Sequence, residues 1–289
     1  MIPTFNFIQP KNLNDTLALL GKHQGNARLI AGGTDIVPGF QQEASRFKNI
    51  KTLIDIHDLK ELKIIERKND HVMIGAGVTF TELTTHPVIK ELFPLLAKAA
   101  GSIGSLQIRN RATIAGNFVN NAPCADSVPS LLVYDAVVRI QSPGGEREIA
   151  LEEFLLKPYK TQLQPDEIVT HVVLPVIEEN YRGDFYKLGR RRGVAISRIS
   201  LAVLIDIDSQ TSIIQDIRIA SGAVTPIGKR FRQLEEFAQG REATSDLFKQ
   251  LAQELGKQIL DVTGLRWSTP HKLPVVQQMF YQLLESIYF

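Results

Sequence analysis

Two stretches carry residues that could do chemistry. Arg28–Pro38 reads RLIAGGTDIVP, and Arg111–Pro129 reads RATIAGNFVNNAPCADSVP. Both contain Ile-Ala-Gly and then open into small and polar residues. Gly32 and Gly33 lack a Cβ, so the backbone can take a positive φ and a ligand can approach it closely. Successive N–H groups in such a turn converge into a nest that holds anions such as phosphate. Thr34 and Asp35 add side-chain hydrogen-bonding groups. The second stretch repeats the device with Thr113, then Ala115, Gly116 and Asn117. One such loop holds one phosphate, and two facing loops could clamp a diphosphate. The duplication therefore suggests a diphosphate-bridged cofactor. A Gly-Gly pair after a strand also closes ordinary turns, and that reading stays open on the residues alone.

The elements that must position these loops follow from periodicity. Both copies read as following a short strand. ARLIAG and KTLIDI are strands, and NLNDTLALLGKHQ is a helix with Leu13, Leu17 and Leu20 on one face. LKIIERKNDHVMIGAGV reads as a hairpin turning near Asn69-Asp70, and AVVRIQSPGGEREIAL as a second turning at Pro-Gly-Gly. FTELTTHPVIKELFPLLAKAAGSIG has helical periodicity broken by Pro87 and Pro94. SVPSLLVYDA is a helix with proline in its first turn. DEIVTHVVLP is a strand ended by Pro175. After the polar run VIEENYRG, three antiparallel strands and then two long helical patterns are expected, the first interrupted near Gly240. Strands and helices in blocks predict an α+β architecture rather than a strictly alternating sheet.

Other chemistries find little support. No G-x-G-x-x-G opens a helix and no G-x-x-x-x-G-K-[ST] occurs, so neither a Rossmann site nor a P-loop is expected. The six histidines show no H-x-x-x-H or Cys/His spacing, so no metal site is expected. No G-x-S-x-G elbow is present. Glu152-Glu153 and Glu235-Glu236 are adjacent, and neighbours on a helix do not share a face. The lone Cys124 excludes an internal disulfide and an iron–sulfur cluster held by this chain, which needs about four ligands. The net charge of +2 over 289 residues argues against nucleic acid. No leader peptide is read at the start, and no apolar run approaches the ~18 residues of a membrane span. A cytoplasmic protein with no membrane contact is the expectation.

Five runs carry a resemblance: LIAGGTDIVP, IGAGVTFTEL, SLQIRNRATIAGNFVNNAPCADSVPSLLVYDAVVRI, PDEIVTHVVLP and FYKLGRRRGVAIS. In this order and spacing the chain resembles the FAD-binding medium subunit of the molybdenum hydroxylases, the xanthine dehydrogenase and carbon monoxide dehydrogenase family. GAVTPI, the lone Trp267 and the length look most like the xanthine dehydrogenase subunits, with nicotinate dehydrogenase subunits next. The resemblance implies an FAD-binding PCMH-type domain over residues 1–176, with subdomains of about 1–56 and 57–176. It implies a carbon monoxide dehydrogenase flavoprotein C-terminal-like domain over 177–289, a three-stranded antiparallel sheet with helices.

The resemblance also implies a site. FAD would contact Leu29, Ile30, Ala31, Gly32, Gly33, Thr34, Asp35 and Ile36 in the first loop. It would contact Thr113, Ile114, Ala115, Gly116 and Asn117 in the second. Asp126 would bond the ribityl or diphosphate region, Ile103 would lie beside the flavin ring, and Val169 and Lys187 would complete the site. Read without the family, Asp126 before Ser-Val-Pro is also an N-cap, Ile103 and Val169 are core positions, and Lys187–Gly193 is a solvated charge run. Molybdopterin would sit in a large partner subunit and two [2Fe–2S] clusters in a small one, in a heterotrimer. FAD would relay electrons to an acceptor such as NAD⁺. No residue of this chain is assigned acid–base catalysis. A nicotinate, aldehyde or carbon monoxide dehydrogenase subunit, a self-contained flavin oxidoreductase and a non-catalytic nucleotide-binding module are the alternatives.

Overall fold

A computed structural model describes residues 4–23, 25–177, 180–191 and 193–288. The chain starts with β1 (Asn6–Ile8), α1 (Leu13–His23), β2 (Ala27–Ile30), α2 (Ile36–Gln41) and β3 (Thr52–Asp55). The strands form a parallel sheet in the order β1-β3-β2. The spacing of Leu17 and Leu20 puts both on the buried face of α1. Phe40, Phe47 and Leu53 make a small separate core beneath the first loop's outgoing helix.

A second layer follows with β4 (Ile65–Arg67), β5 (His71–Gly75), α3 (Phe80–Thr85), α4 (Pro87–Leu92), α5 (Pro94–Gly101), α6 (Leu106–Arg109), α7 (Ile114–Asn120) and α8 (Ser127–Val133). It continues with β6 (Val137–Ser142), β7 (Gly145–Ala150), α9 (Leu151–Phe154), β8 (Leu155–Lys157), β9 (Lys160–Thr161) and β10 (Ile168–Pro175). Five of these strands form an antiparallel sheet, β4-β5-β10-β6-β7. Pro87 and Pro94 each occupy the start of a helix, so one periodic stretch becomes three helices meeting at angles the prolines allow. Thr79 and Glu82 close a capping box at the start of α3.

The remainder is β11 (Arg182–Gly189), β12 (Ser197–Ile207), β13 (Ile214–Gly222), β14 (Lys229–Arg230), α10 (Arg232–Ala238), α11 (Ser245–Thr263) and α12 (Thr269–Tyr288). The C-terminal sheet has four strands, β11-β12-β13-β14, where three were expected. The extra strand is only two residues long, too short for a period to register, and pairs through Ala220–Arg230 and Ser221–Lys229. Alternation along β12 explains what this sheet does. Ile199, Leu201, Val203 and Ile205 face the helical side, where Phe248 and Phe280 pack. Ala202 and Leu204 face the other way, into the core of the N-terminal layers. The sheet is thus buried on both faces and forms the far wall of the site.

The stretch before the second loop differs from expectation. It is helix α6 rather than a strand, and the pairing there among the described residues is an isolated bridge between Thr79 and Thr113. The small-residue run is itself a helix, α7. The Thr113 hydroxyl accepts from the Gly116 N–H at 3.2 Å and caps it, and Asn121 at φ 47° ends it.

Candidate functional site

The two stretches meet. A Cβ built on Gly32 would lie 1.9 Å from the Arg111 carbonyl oxygen and 3.0 Å from Ala112 Cα. Only glycine allows that approach. Gly33, at φ +74°, turns the chain from β2 toward α2. None of the N–H groups of Gly32, Gly33, Thr34 or Asp35 donates to a described residue, so four adjacent donors stand open at the start of α2. Asp35 occupies the N-cap position without a side-chain cap bond.

The second loop is not an equivalent nest. Its N–H groups are already used: Ile114 donates to the Val78 oxygen at 2.9 Å, Ala115 to Ala76 at 3.3 Å, and Asn117 to Thr113 at 3.1 Å. Gly116 donates to the cap. The Asn117 Oδ1 accepts from the Ser127 hydroxyl at 2.7 Å, which holds the amide in place with its Nδ2 side unengaged among the described residues. The first loop therefore offers backbone donors, and the second offers a packed wall and a side-chain amide.

Between them lies a cavity of about 1320 Å³. That exceeds the roughly 300–1,000 Å³ typical of a drug-sized ligand site. Leu29 to Ile36 line it, as do Thr113, Ala115, Gly116, Asn117, Ile103, Asp126, Val169 and Lys187. Ile114 does not; its side chain is fully buried in the main core. Ile103 and Val169 present apolar surface, and both are nearly buried. Trp267 lines the cavity from the turn between α11 and α12 while remaining 85% exposed.

Asp126 and Lys187 join the N-terminal layers to the C-terminal sheet. Lys187 Nζ donates to Asp126 Oδ2 at 2.6 Å and to the Ser102 carbonyl oxygen at 2.9 Å. The Ser197 hydroxyl donates to Asp126 Oδ1. Asp126 makes no cap bond to α8, so its oxygens serve this cluster instead. Burial pushes the Asp126 carboxyl above its ordinary value, and the Lys187 ammonium pulls the other way. Nothing local links Ser197 to Asp126, 71 residues away. They meet because the β11–β12 pairing shifts register at Gly189 and Ser197. Cys124 also lines the cavity, but burial and the nearby Asp126 raise its thiol and keep it protonated.

Two arginines escaped the sequence reading. Arg28 and Arg46 both line the cavity. Burial and the charge of Arg46 lower Arg28 below the usual guanidinium range. The Arg46 guanidinium lies 4.6 Å from the Phe47 ring centroid and 4.4 Å from that of Tyr159, yet its Nε is buried with no hydrogen-bond partner. Two neighbouring cations, one with an orphaned donor, favour an anion in the space between them. Burial raises Asp35, countered by Arg46.

Comparison with known proteins agrees with this geometry. The family model for the FAD binding domain in molybdopterin dehydrogenase matches residues 3–177. That for the CO dehydrogenase flavoprotein C-terminal domain matches 184–287. The chain is 31% identical to a nicotinate dehydrogenase FAD-subunit of Eubacterium barkeri, covering 98% of this chain and 96% of that one. It is 32% identical to a putative xanthine dehydrogenase FAD-binding subunit of Escherichia coli (strain K12), covering 95% and 92%. A carbon monoxide dehydrogenase structure from Hydrogenophaga pseudoflava superposes with a TM-score of 0.91 at 27% identity, over 100% of this chain and 98% of that one. The four open amides, the glycine-mediated loop contact and these matches lead to one conclusion: the chain belongs to the FAD-binding subunits of the molybdopterin dehydrogenases, the molybdenum hydroxylase family.

Proposed function

We propose that the 1320 Å³ cavity seats FAD with its diphosphate on the amides of Gly32 to Asp35. The observation that carries this reading is that row of four open donors, walled by the second loop. The residues present fit the group. The orphaned Arg46 Nε and the desolvated Arg28 supply the positive charge a diphosphate needs. The missing Cβ of Gly32 keeps the floor of the cradle low. Asn117 adds a side-chain donor. Ile103 and Val169 exclude water beside the ring, and the Asp126–Lys187–Ser197 cluster holds the C-terminal wall in register. FAD bound there supplies a two-electron carrier.

The subunit then works by positioning. In a heterotrimer, molybdopterin of a large partner subunit would supply substrate oxidation and [2Fe–2S] clusters of a small one would supply the electrons to FAD held by this chain, with NAD⁺ as the acceptor. The relatives named for xanthine and nicotinate support a heteroaromatic substrate for the complex. Among the described residues no helix is long and apolar enough to cross a membrane. The test is the absorption spectrum of the purified chain and its response to anaerobic NADH. Flavin bands that bleach support both cofactor and acceptor. A colourless chain that takes up no added FAD contradicts the reading.

A further inference from the structure

Arg46 and Tyr159 reach the cavity from distant parts of the chain. Arg46 and Phe47 belong to one short 3-10 turn, Ser45–Phe47, and Tyr159 stands in the turn between β8 and β9. The Arg46 guanidinium carbon lies 4.4 Å from the Tyr159 ring centroid and 4.6 Å from that of Phe47. Both are inside the ~6 Å reach of a cation–π contact. Phe47 is fixed in the small core against Phe40, with 5.0 Å between the ring centroids. Tyr159 is half exposed, and its hydroxyl makes no hydrogen bond with a described residue. Neither burial nor a polar bond accounts for the place of this ring; the Arg46 contact does.

The backbone beneath Tyr159 shows how the ring is held. Its φ is +60°, in the left-handed region that residues other than glycine seldom occupy. Such a conformation persists only where the surroundings impose it. Here three hydrogen bonds do so. The Tyr159 N–H donates to the Asn121 carbonyl oxygen at 2.9 Å, and Asn121 Nδ2 donates to the Lys157 and Lys160 carbonyl oxygens at 2.9 and 3.0 Å. Asn121 is buried and ends α7, the helix of the second loop. A buried residue of one loop thus sets a ring on a cation that shares the cavity with the other.

Stacking occupies the faces of a guanidinium and leaves its N–H groups, which lie in its plane. None of those of Arg46 donates to a described residue, and no described carboxylate pairs with it. Arg218 makes the contrast: it lies 5.0 Å from the Tyr181 ring centroid, but Asp135 and Asp216 answer its charge. We propose that Tyr159 is a positioning residue for the cofactor's phosphates, pinning Arg46 with its donors free to the cavity, and that Asn121 holds the turn that places the ring. This rests on the diphosphate seat proposed above.

The test is FAD titration of the full-length chain freed of cofactor, read by flavin fluorescence. Tyr159→Leu keeps apolar bulk and loses the ring, and is expected to weaken FAD about tenfold. Tyr159→Phe is expected to stay within about twofold. In an Arg46→Met chain, Tyr159→Leu is expected to cost less than about twofold more, because the ring has lost the cation it holds. Asn121→Gly keeps the left-handed backbone, removes both side-chain bonds and is expected to weaken FAD about threefold or more. Thermal unfolding of each variant separates lost binding from lost folding. Wild-type affinity in Tyr159→Leu overturns the proposal. So does an equal loss in the Arg46→Met chain, because the ring would then act on the ligand itself. Unchanged affinity in Asn121→Gly overturns the part given to Asn121. A wild-type chain that takes up no FAD fails the seat beneath the proposal, before any variant is compared.

Discussion

Gly32→Ala adds one methyl group, and the structure specifies what that methyl meets. Its Cβ would stand 1.9 Å from the Arg111 carbonyl oxygen, where contacts below 3.0 Å are essentially never found. The obstacle is backbone, so no side chain can swing aside, and the two loops must part by about 1 Å or more. The Gly32 backbone is not in the left-handed region, so the clash alone carries the effect. Parting the loops pulls the cradle away from the diphosphate and loses at least one hydrogen bond to a charged oxygen, about 1.5–3 kcal/mol, so FAD affinity should fall at least about tenfold. The assay is fluorescence titration of apo chain with FAD, alongside thermal unfolding to separate lost binding from lost folding. The reasoning is refuted if Gly32→Ala binds FAD as wild type does, because the loop contact would then be irrelevant to the cofactor.

Gly33→Ala tests a different cause: its nearest neighbours lie at 3.5 Å but its φ is +74°, so the penalty is strain of about 1–2 kcal/mol in unfolding free energy. Gly21→Ala in α1 meets nothing within 4 Å and should stabilise by about 0.5–1 kcal/mol, with both glycine variants read by urea titration. Lys187→Met leaves Asp126 buried beside Ser197 alone and should cost about 3–5 kcal/mol, whereas the double variant with Asp126→Asn should recover much of it; additive losses would contradict the pairing. Burial already raises Asp126, so its contribution is most favourable below its ordinary 3.8 and declines as pH rises through the folded value. The Lys187→Met deficit should therefore grow from acid to neutral pH. Glu167 behaves oppositely: its bonds from Arg147 at 2.8 Å hold it below 4.5, so its stabilisation is present above that value and is lost as pH falls through the folded one. Glu167→Gln should lose about 1 kcal/mol at neutral pH and flatten the acid limb of the stability curve.

Much of the scaffold was legible because it rests on local rules. Apolar spacing marks α1, alternation marks β6, a continuous apolar run marks β12, and Pro87 and Pro94 mark helix starts. The failures have physical causes. α7 hides because Gly116 and Asn117 favour turns individually, and the Thr113 cap and the packing of Ile114 and Phe118 into the core make a helix of the run. The same packing removes Ile114 from the cavity. The two loops look alike in sequence, yet their amides differ, because neighbouring carbonyls at Ala76 and Val78 occupy those of the second. No local pattern states which donors a distant strand end will consume. Arg46 was invisible for the same reason: its place beside Arg28 and Tyr159 depends on chain segments that only the fold assembles.

A crystal structure of the FAD-loaded chain would locate the diphosphate. Its oxygens are expected within hydrogen-bonding distance of the N–H groups of Gly32, Gly33 and Thr34, with Thr113–Asn117 closing the other side. A nucleotide seated away from that turn, or a diphosphate held by side chains alone while those amides face solvent, would contradict that placement.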